Sequence, residues 1–509
     1  MQLAACAEIV RKTLVPAIVL LVLMTSATVG QNPPATPGPQ ALRPGVVLPQ
    51  QACTAKPEQS YALYLPSHYT PENRWPIIYA FDPDARGSIP VELMKDAAER
   101  YGYIVVGSNN SRNGSWKLET ESAQAMFDDT HARFAVDDRR IYFAGFSGGA
   151  RVASILAQRC KCAAGVLLSG AGFGGAPPSQ DSVFAVFATV GTFDFNYPEL
   201  SELDEKLEQT GFPHVLRHFD GPHQWAPAEM LDQGLAWFRL IAMKQNREAR
   251  DDNFIASQET QAAARAHALE EAGQPYEAWQ EYRQAVSTFE GLANTAVLQQ
   301  VAASLAQQKA VREGAKREKQ EFEEQKQLTR EIYSGLAALR ANTAGGAGLS
   351  QPGETSIAGT QPRSGAVAAN SAPVRSDIFH QTEQQIVQLR EHAASEKHED
   401  KQQVDRRALS GAFMAATEAG DESLAANNYA AAKDYFQLAS AANPDSVGAL
   451  KELAKARALD GDRKGTLETL RRAREKSTDR AAFMAWMNEE PAFAKLRQDA
   501  QFRALIASP

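Results

Sequence analysis

The sequence predicts an α/β domain with a mostly parallel sheet, followed by an all-helical region. In the first half of the chain, short apolar runs alternate with helical patterns, as in a parallel sheet covered by helices. Beyond residue 250 the composition shifts to Ala, Glu, Gln, Lys and Arg, and the strand signal almost disappears. A chain of 509 residues is also too long for one ordinary core. We therefore expect several domains.

The predicted strands are short apolar runs bounded by turn residues. They are residues 61–65, 76–81, 103–107, 141–144, 165–169, 185–190 and 215–219. Together with the intervening helical patterns they place the α/β domain at residues 53–245.

The N-terminus has the pattern of an export signal. Arg11 and Lys12 precede an apolar run over 14–24, and small and polar residues follow it. The run is shorter than the roughly 20 residues that span a bilayer. Residues 1–30 are therefore predicted to be a cleaved signal peptide, which implies a periplasmic or secreted protein. The alternative is an N-terminal membrane anchor.

The remaining boundaries follow from composition. Residues 31–52 are rich in Pro, Gln and Gly and are predicted to be a linker. Residues 250–340 and 377–509 have helical patterns. Residues 341–376 contain no aromatic residue and consist largely of small and polar residues, which predicts an unstructured linker between the two helical regions.

Charge and cysteine content exclude some classes of partner. The chain has 53 Lys plus Arg and 61 Asp plus Glu, and no basic patch that would predict nucleic-acid binding. Cys53, Cys160 and Cys162 remain after removal of the signal peptide. Either Cys53 pairs with one of the other two, or all three are free and buried; an odd number leaves at least one thiol unpaired within the chain. The cysteine spacing does not predict a zinc site.

The most informative motif is Gly-Phe-Ser-Gly-Gly at 145–149, which fits G-x-S-x-G. It lies between a predicted strand and an alanine-rich predicted helix. Ser147 therefore occupies a sharp turn at the carboxyl edge of the sheet, where flanking glycines give the backbone room. This position predicts a serine nucleophile.

A serine nucleophile needs a histidine to take its proton and a carboxylate to orient that histidine. Asp194 follows the strand 185–190, and His223 follows the strand 215–219 in a loop marked by Gly and Pro. The order Ser, Asp, His is the one expected on this kind of sheet. Asp220 is the second candidate for the carboxylate. His214 and His218 compete with His223, but they lie in or beside the preceding strand.

Residues 138–153, the Gly-Thr-Phe-Asp loop ending at Asp194, and Gly-Pro-His-Gln-Trp at 221–225 resemble the α/β-hydrolase superfamily. Within it, they are most similar to small secreted esterases and the dienelactone hydrolase and polyhydroxyalkanoate depolymerase branch. The resemblance implies ester hydrolysis through an acyl-serine without metal or organic cofactor. It also implies an oxyanion hole formed by the Gly148 amide and a second amide after the strand 76–81.

The chain departs from that family at the second amide. Phe81-Asp82-Pro83 replaces the usual His-Gly pair, and Pro83 has no N–H. Phe81 or Asp82 must then donate. Asp82 brings a negative charge near the developing oxyanion, which lowers the efficiency of the site unless Arg86 offsets that charge.

The helical half contains internal repetition. The matching residues are small, aromatic or turn residues at the spacing of a 34-residue helical hairpin. They are Tyr429, Ala432, Phe436, Ala439 and Pro444, then Leu450, Leu453, Ala454, Gly461, Asp462, Leu470 and Ala473, with an earlier match at Gly273, Tyr276, Ala278, Tyr282 and Ala285. These segments resemble tetratricopeptide repeats, which implies a protein partner. The pattern is interrupted by the predicted linker, and Thr466 stands where a small alanine is usual.

The predicted function is hydrolysis of a carboxylic ester, small or polymer-borne. Residues 171–182 are too few to form a lid, so we expect an uncapped site. Trp116 and Trp225 are candidates to line the substrate cleft. Two alternatives remain: a non-catalytic hydrolase-fold scaffold whose repeats bind a protein, and a serine peptidase.

Overall fold

The computed structural model describes residues 42–114, 116–179, 182–341 and 372–507. The predicted signal peptide, the first part of the linker 31–52 and most of the linker 341–376 lie outside these residues. No helix in the described ranges is long and apolar enough to span a bilayer.

An eight-stranded sheet forms the first domain. Its strands are β1 (Leu48–Ala52), β2 (Ser60–Tyr64), β3 (Trp75–Phe81), β4 (Ile104–Ser108), β5 (Val136–Phe146), β6 (Ala163–Ser169), β7 (Ala185–Gly191) and β8 (His214–Phe219). Their order across the sheet is β1-β2-β4-β3-β5-β6-β7-β8. From β4 to β8 in this order, neighbouring strands are parallel. At one edge of the sheet, β1 pairs antiparallel with β2, and β2 pairs antiparallel with β4.

Both faces of the sheet are covered by helices. The helices are α1 (Ser88–Tyr101), α2 (Trp116–Arg133), α3 (Gly148–Cys160), α4 (Tyr197–Gln209) and α5 (Ala228–Lys244). Because side chains alternate along a strand, β3 sends Tyr79 and Phe81 into one hydrophobic core and Ile78 and Ala80 into the other. This two-sided burial explains why the central strands are almost continuously apolar.

Each of the seven predicted strands corresponds to an observed strand, and one strand was missed. β1 lies within the predicted linker 31–52, so that boundary is wrong. Its sequence, LPQQA, contains a proline and two glutamines. An edge strand pairs on one side only and tolerates such residues, which is why composition alone did not predict it.

Beyond the sheet the described chain is helical, as predicted. The helices are α6 (Asp252–Glu271), α7 (Pro275–Phe289), α8 (Ala296–Ala306), α9 (Lys309–Ala341), α10 (Ala372–Ser395), α11 (Glu399–Ala425), α12 (Tyr429–Ala442), α13 (Val447–Leu459), α14 (Arg463–Lys476), α15 (Arg480–Glu489) and α16 (Ala500–Ala507), with a 3-10 turn at Pro491–Leu496. The predicted linker boundary at 376 is wrong, because α10 already begins at Ala372.

Successive helices pack as pairs: α6 with α7, α11 with α12, and α13 with α14. In the α11–α12 pair, Gly420 lies so close to the Phe436 ring that an added Cβ would be 2.6 Å from it. Ala432 and Ala439 on α12 are fully buried. Small residues thus allow these two helices to approach closely, and the aromatic ring fills the remaining space.

The cysteines pair differently from either expectation. Cys160 and Cys162 form a disulfide, and Cys53 is buried as a free thiol. Lys161, between the paired residues, has a left-handed backbone with φ 53°, which turns the chain back after α3. The pairing is local and does not connect β1 to α3. Burial raises the pKa of the Cys53 thiol to about 12.

Candidate active site

Ser147 lies in a sharp turn between β5 and α3. Its backbone has φ 53° and ψ −121°, a conformation that a residue with a Cβ rarely adopts. A Cβ on Gly145 would be 2.1 Å from the Gly149 carbonyl oxygen, and a Cβ on Gly149 would be 2.1 Å from the Phe81 carbonyl oxygen. The two glycines therefore allow the strand, the turn and the helix to approach closely.

Ser147, His223 and Asp194 form one hydrogen-bonded chain. The Ser147 Oγ is 2.8 Å from the His223 Nε2. The His223 Nδ1 is 2.9 Å from both carboxylate oxygens of Asp194. Asp194 is fully buried, the His223 side chain is 5% exposed, and Ser147 is half-buried. The three side chains predicted from the sequence are thus brought together, with only the serine open to a substrate.

Parallel strands account for this convergence. β5, β7 and β8 run in the same direction, so the loops after them meet at one edge of the sheet. The Phe193 amide donates to the Gly221 carbonyl at 2.9 Å and thereby joins the Asp194 loop to the His223 loop. The two loops are held in register by backbone contacts.

Several residues that the sequence did not single out hold this arrangement. The Asn196 amide donates to the Asp194 Oδ1 at 2.8 Å, and its side chain donates to the Gly170 carbonyl, also at 2.8 Å. The rings of Phe146 and Phe195 lie 4.7 and 4.5 Å from the His223 ring. Phe146 and Phe195 are sequence neighbours of Ser147 and Asp194, and that adjacency was the one available signal.

The competing residues have other partners. Asp220 accepts from the Thr192 hydroxyl at 3.3 Å and is exposed. His214 pairs with Asp204 at 3.3 Å. His218 stacks on Tyr197 with ring centroids 4.9 Å apart, and burial lowers the pKa of His218 to about 4. Both histidines belong to β8, as the alternation predicted.

Asp82 is fully buried beside the serine turn, and its charge is compensated. The Arg86 Nε donates to the Asp82 carboxylate at 2.8 Å, the Trp225 Nε1 at 2.8 Å and the Asp84 amide at 3.0 Å. The hydrogen bond to Asp82 raises the pKa of Arg86. Arg86 therefore offsets the Asp82 charge. Phe81 lies with its carbonyl against Gly149.

The two tryptophans occupy different environments. Trp225 is buried, 8% exposed, with its ring 5.9 Å from Phe146. Its indole N–H donates to the Asp82 carboxylate, so Trp225 supports the site from below. Trp116 begins α2, is 37% exposed and lies under the Arg159 guanidinium at 5.1 Å.

The helical half of the chain contacts the Asp194 loop directly. On α11, the Arg407 Nε donates to the Thr192 carbonyl at 2.7 Å, and its guanidinium lies 3.8 Å from the Tyr197 ring centroid. On α9, the Gln325 side chain donates to the Phe195 carbonyl at 2.9 Å. Nothing in the sequence pairs residues separated by more than a hundred positions, so these contacts were not predicted.

A helix that the sequence did not place near the site lies beside the Asp194 loop. The β6–β7 connection contains no helix among its described residues, but α11 lies beside the site instead. A Cβ on Gly411 of α11 would be 3.3 Å from the Phe195 Cβ. Farther along α11, desolvation and Glu422 raise the pKa of Glu418, while His223 acts in the opposite direction. A helix from a distant part of the chain thus lies beside the site, and the expectation of an uncapped site stays a prediction.

The sheet of eight mostly parallel strands flanked by helices fits an α/β-hydrolase fold. No protein-family model matches the sequence, and the search of curated proteins gives no match. Among solved structures, the chain is similar to the fluorophosphonate-binding serine hydrolase F of Staphylococcus aureus, with 13% identity, 35% of this chain and 92% of that chain covered, and a TM-score of 0.30.

Two further similar structures are esterases by their descriptions. A feruloyl esterase module from Clostridium thermocellum has 15% identity, 42% of this chain and 94% of that chain covered, and a TM-score of 0.31. A ferulic acid esterase has 19% identity, 38% and 96% coverage, and a TM-score of 0.33. A function is inferred below from the geometry of the site alone.

Proposed function

We propose that the protein is a serine hydrolase that cleaves carboxylic esters through an acyl-enzyme. The observation that carries this proposal is the continuous chain from the Ser147 hydroxyl through His223 to the buried Asp194. The strained backbone of Ser147 is a second support, because such strain is retained mainly where function requires it.

The reaction follows from the hydrogen bonds. The Ser147 Oγ attacks the ester carbonyl while its proton passes to the His223 Nε2. The Nδ1–H of His223 donates to Asp194, which holds the ring in the required tautomer and stabilises its positive charge. The imidazolium then returns the proton to the leaving alcohol. Water attacks the acyl-serine by the same path and releases the acid and the free enzyme.

The tetrahedral intermediate carries its negative charge on the former carbonyl oxygen. We assign the Gly148 amide, at the N-terminus of α3, as one donor to this oxygen, with the Phe81 or Asp82 amide as the other backbone donor. One such donor contributes about 3 kcal/mol in the transition state. The carboxylate of Asp82 does not oppose this charge strongly, because Arg86 and Trp225 bind it.

A fluorophosphonate probe tests the nucleophile. We expect covalent labelling of the folded full-length chain, complete loss of labelling in Ser147→Ala, and unchanged labelling in the exposed control Ser179→Ala. Folded wild-type protein that takes up no probe would leave a non-catalytic scaffold as the function.

The ester preference is tested separately from the nucleophile. Aryl esters and peptide anilides with the same acyl group are compared side by side, together with a panel of short-chain, feruloyl, acetyl-sugar and hydroxyalkanoate esters. We expect turnover of the esters. Faster cleavage of the anilides would make the protein a serine peptidase.

We further propose that the helix pairs act as tetratricopeptide-like units that bind a protein partner, supported by the buried Ala432, Phe436 and Ala439. We also propose that the protein is exported to the periplasm or secreted. N-terminal sequencing of protein recovered outside the cytoplasm tests export. A start at Met1 in that material would favour the membrane anchor.

A further inference from the structure

The end of β3 offers few amides for a second oxyanion donor. Pro83 has no N–H, and the Asp84 amide already donates to the Asp82 side chain at 3.0 Å. Of the backbone amides at the end of β3, that of Phe81 or Asp82 therefore remains as the donor to the oxyanion. A nearby side chain with an N–H would compensate for the amide that Pro83 lacks.

The Asn113 side chain lies against Gly148. An ideal Cβ on Gly148 would be 1.8 Å from the Asn113 Oδ1, 2.8 Å from its Cγ and 3.2 Å from its Nδ2. A Cβ and the amide nitrogen of the same residue are about 2.5 Å apart, so the Oδ1, which is the nearest carboxamide atom, lies within about 4.3 Å of the Gly148 amide and the Nδ2 within about 5.7 Å. An oxygen that accepts from this amide would therefore lie within reach of Asn113.

Two backbone contacts hold Asn113 at this position. Its amide donates to the Pro83 carbonyl at 2.9 Å, and Arg112 forms an isolated β-bridge with Asp84. The loop after β4 is thus fastened to the loop after β3, at the residues where the backbone donor is missing.

The Asn113 carboxamide itself is not committed elsewhere. The residue is exposed, and no hydrogen bond joins its side chain to another residue in the described part of the chain. In the structure the Oδ1 is the carboxamide atom nearest to Gly148. A half-turn about the Cβ–Cγ bond exchanges Oδ1 and Nδ2, and so presents an N–H to an incoming oxygen without breaking a side-chain hydrogen bond. By contrast, Asn110 in the same loop is fixed by the Ser60 amide and the Glu58 carbonyl.

We propose that the Nδ2 of Asn113 is an additional donor in the oxyanion hole and takes the place of the amide that Pro83 lacks. This inference rests on the proposed hydrolase function. When Ser147 attacks, the former carbonyl oxygen accepts hydrogen bonds from the Gly148 amide, from the Phe81 or Asp82 amide and from Asn113. This role of Asn113 also explains why position 148 is a glycine, because any side chain there would displace the Asn113 carboxamide.

The test compares Asn113→Ala and Asn113→Asp with Asn253→Ala, an exposed asparagine at the start of α6. We expect kcat for an aryl ester to fall roughly 100-fold in both Asn113 variants, with KM changed less than about threefold. Tm should stay within about 1 °C of the wild type in Asn113→Ala, since no bond of the folded state is lost. Asn253→Ala should match the wild type.

Three results would overturn the inference: a kcat for Asn113→Ala within about threefold of the wild type, a rise in KM at unchanged kcat, or a loss of activity that parallels a lower Tm. Each of these three results can be obtained only if the wild-type protein is active. The absence of labelling and turnover in the wild type would instead refute the proposed function, so the two failures are distinguishable.

Discussion

Gly170 gives the sharpest test of how the catalytic chain is held. It lies after β6 with φ +65°, and its carbonyl accepts from Asn196. An added Cβ would be 3.0 Å from the Asp194 Oδ2 and 3.2 Å from the His223 Nδ1. In Gly170→Ala the methyl group therefore presses on the hydrogen bond that joins Asp194 to His223.

Two effects of this substitution can be separated. Alanine in a left-handed conformation costs about 1–2 kcal/mol of stability. Relieving the contacts requires Asp194 and His223 to shift by a few tenths of an ångström, which weakens a charged hydrogen bond worth about 1.5–3 kcal/mol. If half of that energy is lost in the transition state, kcat/KM falls about 4- to 13-fold.

Gly211 provides a matched control. Its φ is also +65°, and an added Cβ there would meet no atom within 4 Å. Gly211→Ala should lose about the same stability as Gly170→Ala from the backbone alone, yet hydrolyse an aryl ester at the wild-type rate. Thermal unfolding and steady-state kinetics measure the two effects. Equal kcat/KM values for the two variants would refute the reasoning.

Three further predictions concern charged side chains. Arg407→Lys keeps the charge but cannot reproduce the bond to the Thr192 carbonyl, so kcat should fall about tenfold at unchanged KM; wild-type kinetics would contradict a positioning role. Burial raises the pKa of Glu321 from 4.5 to about 7. The folded state therefore binds the carboxyl proton of Glu321 more tightly than the unfolded state, and the free energy of unfolding falls as pH rises between these values. Glu321→Gln should therefore be more stable than the wild type near pH 8, by at most about 3 kcal/mol, and equal near pH 4, as urea unfolding measures. Arg86→Met leaves the buried Asp82 carboxylate without its cation and should lower the free energy of unfolding by about 3 kcal/mol; a loss below about 0.5 kcal/mol would show that Trp225 suffices.

Local sequence patterns predicted much of the site. Ser147, Asp194 and His223 were each identified because a turn follows a buried strand, and parallel strands bring such turns to one edge. The same reasoning failed at β1, whose polar residues pair on one side only, and at Cys160 and Cys162, whose pairing depends on the left-handed Lys161 between them. Both features depend on which segments lie next to each other in the folded chain, and composition does not report that.

The sequence by itself determined seven of the eight strands, the helical character of the second half and the order of the three site residues, because side-chain periodicity reflects burial within a single element. Only the tertiary structure decided that Arg407 and Gln325 hold the Asp194 loop, that α11 lies beside the site, and that Asn113 rests on Gly148. These contacts join segments far apart along the chain. Their geometry depends on how whole elements pack, which no local pattern encodes.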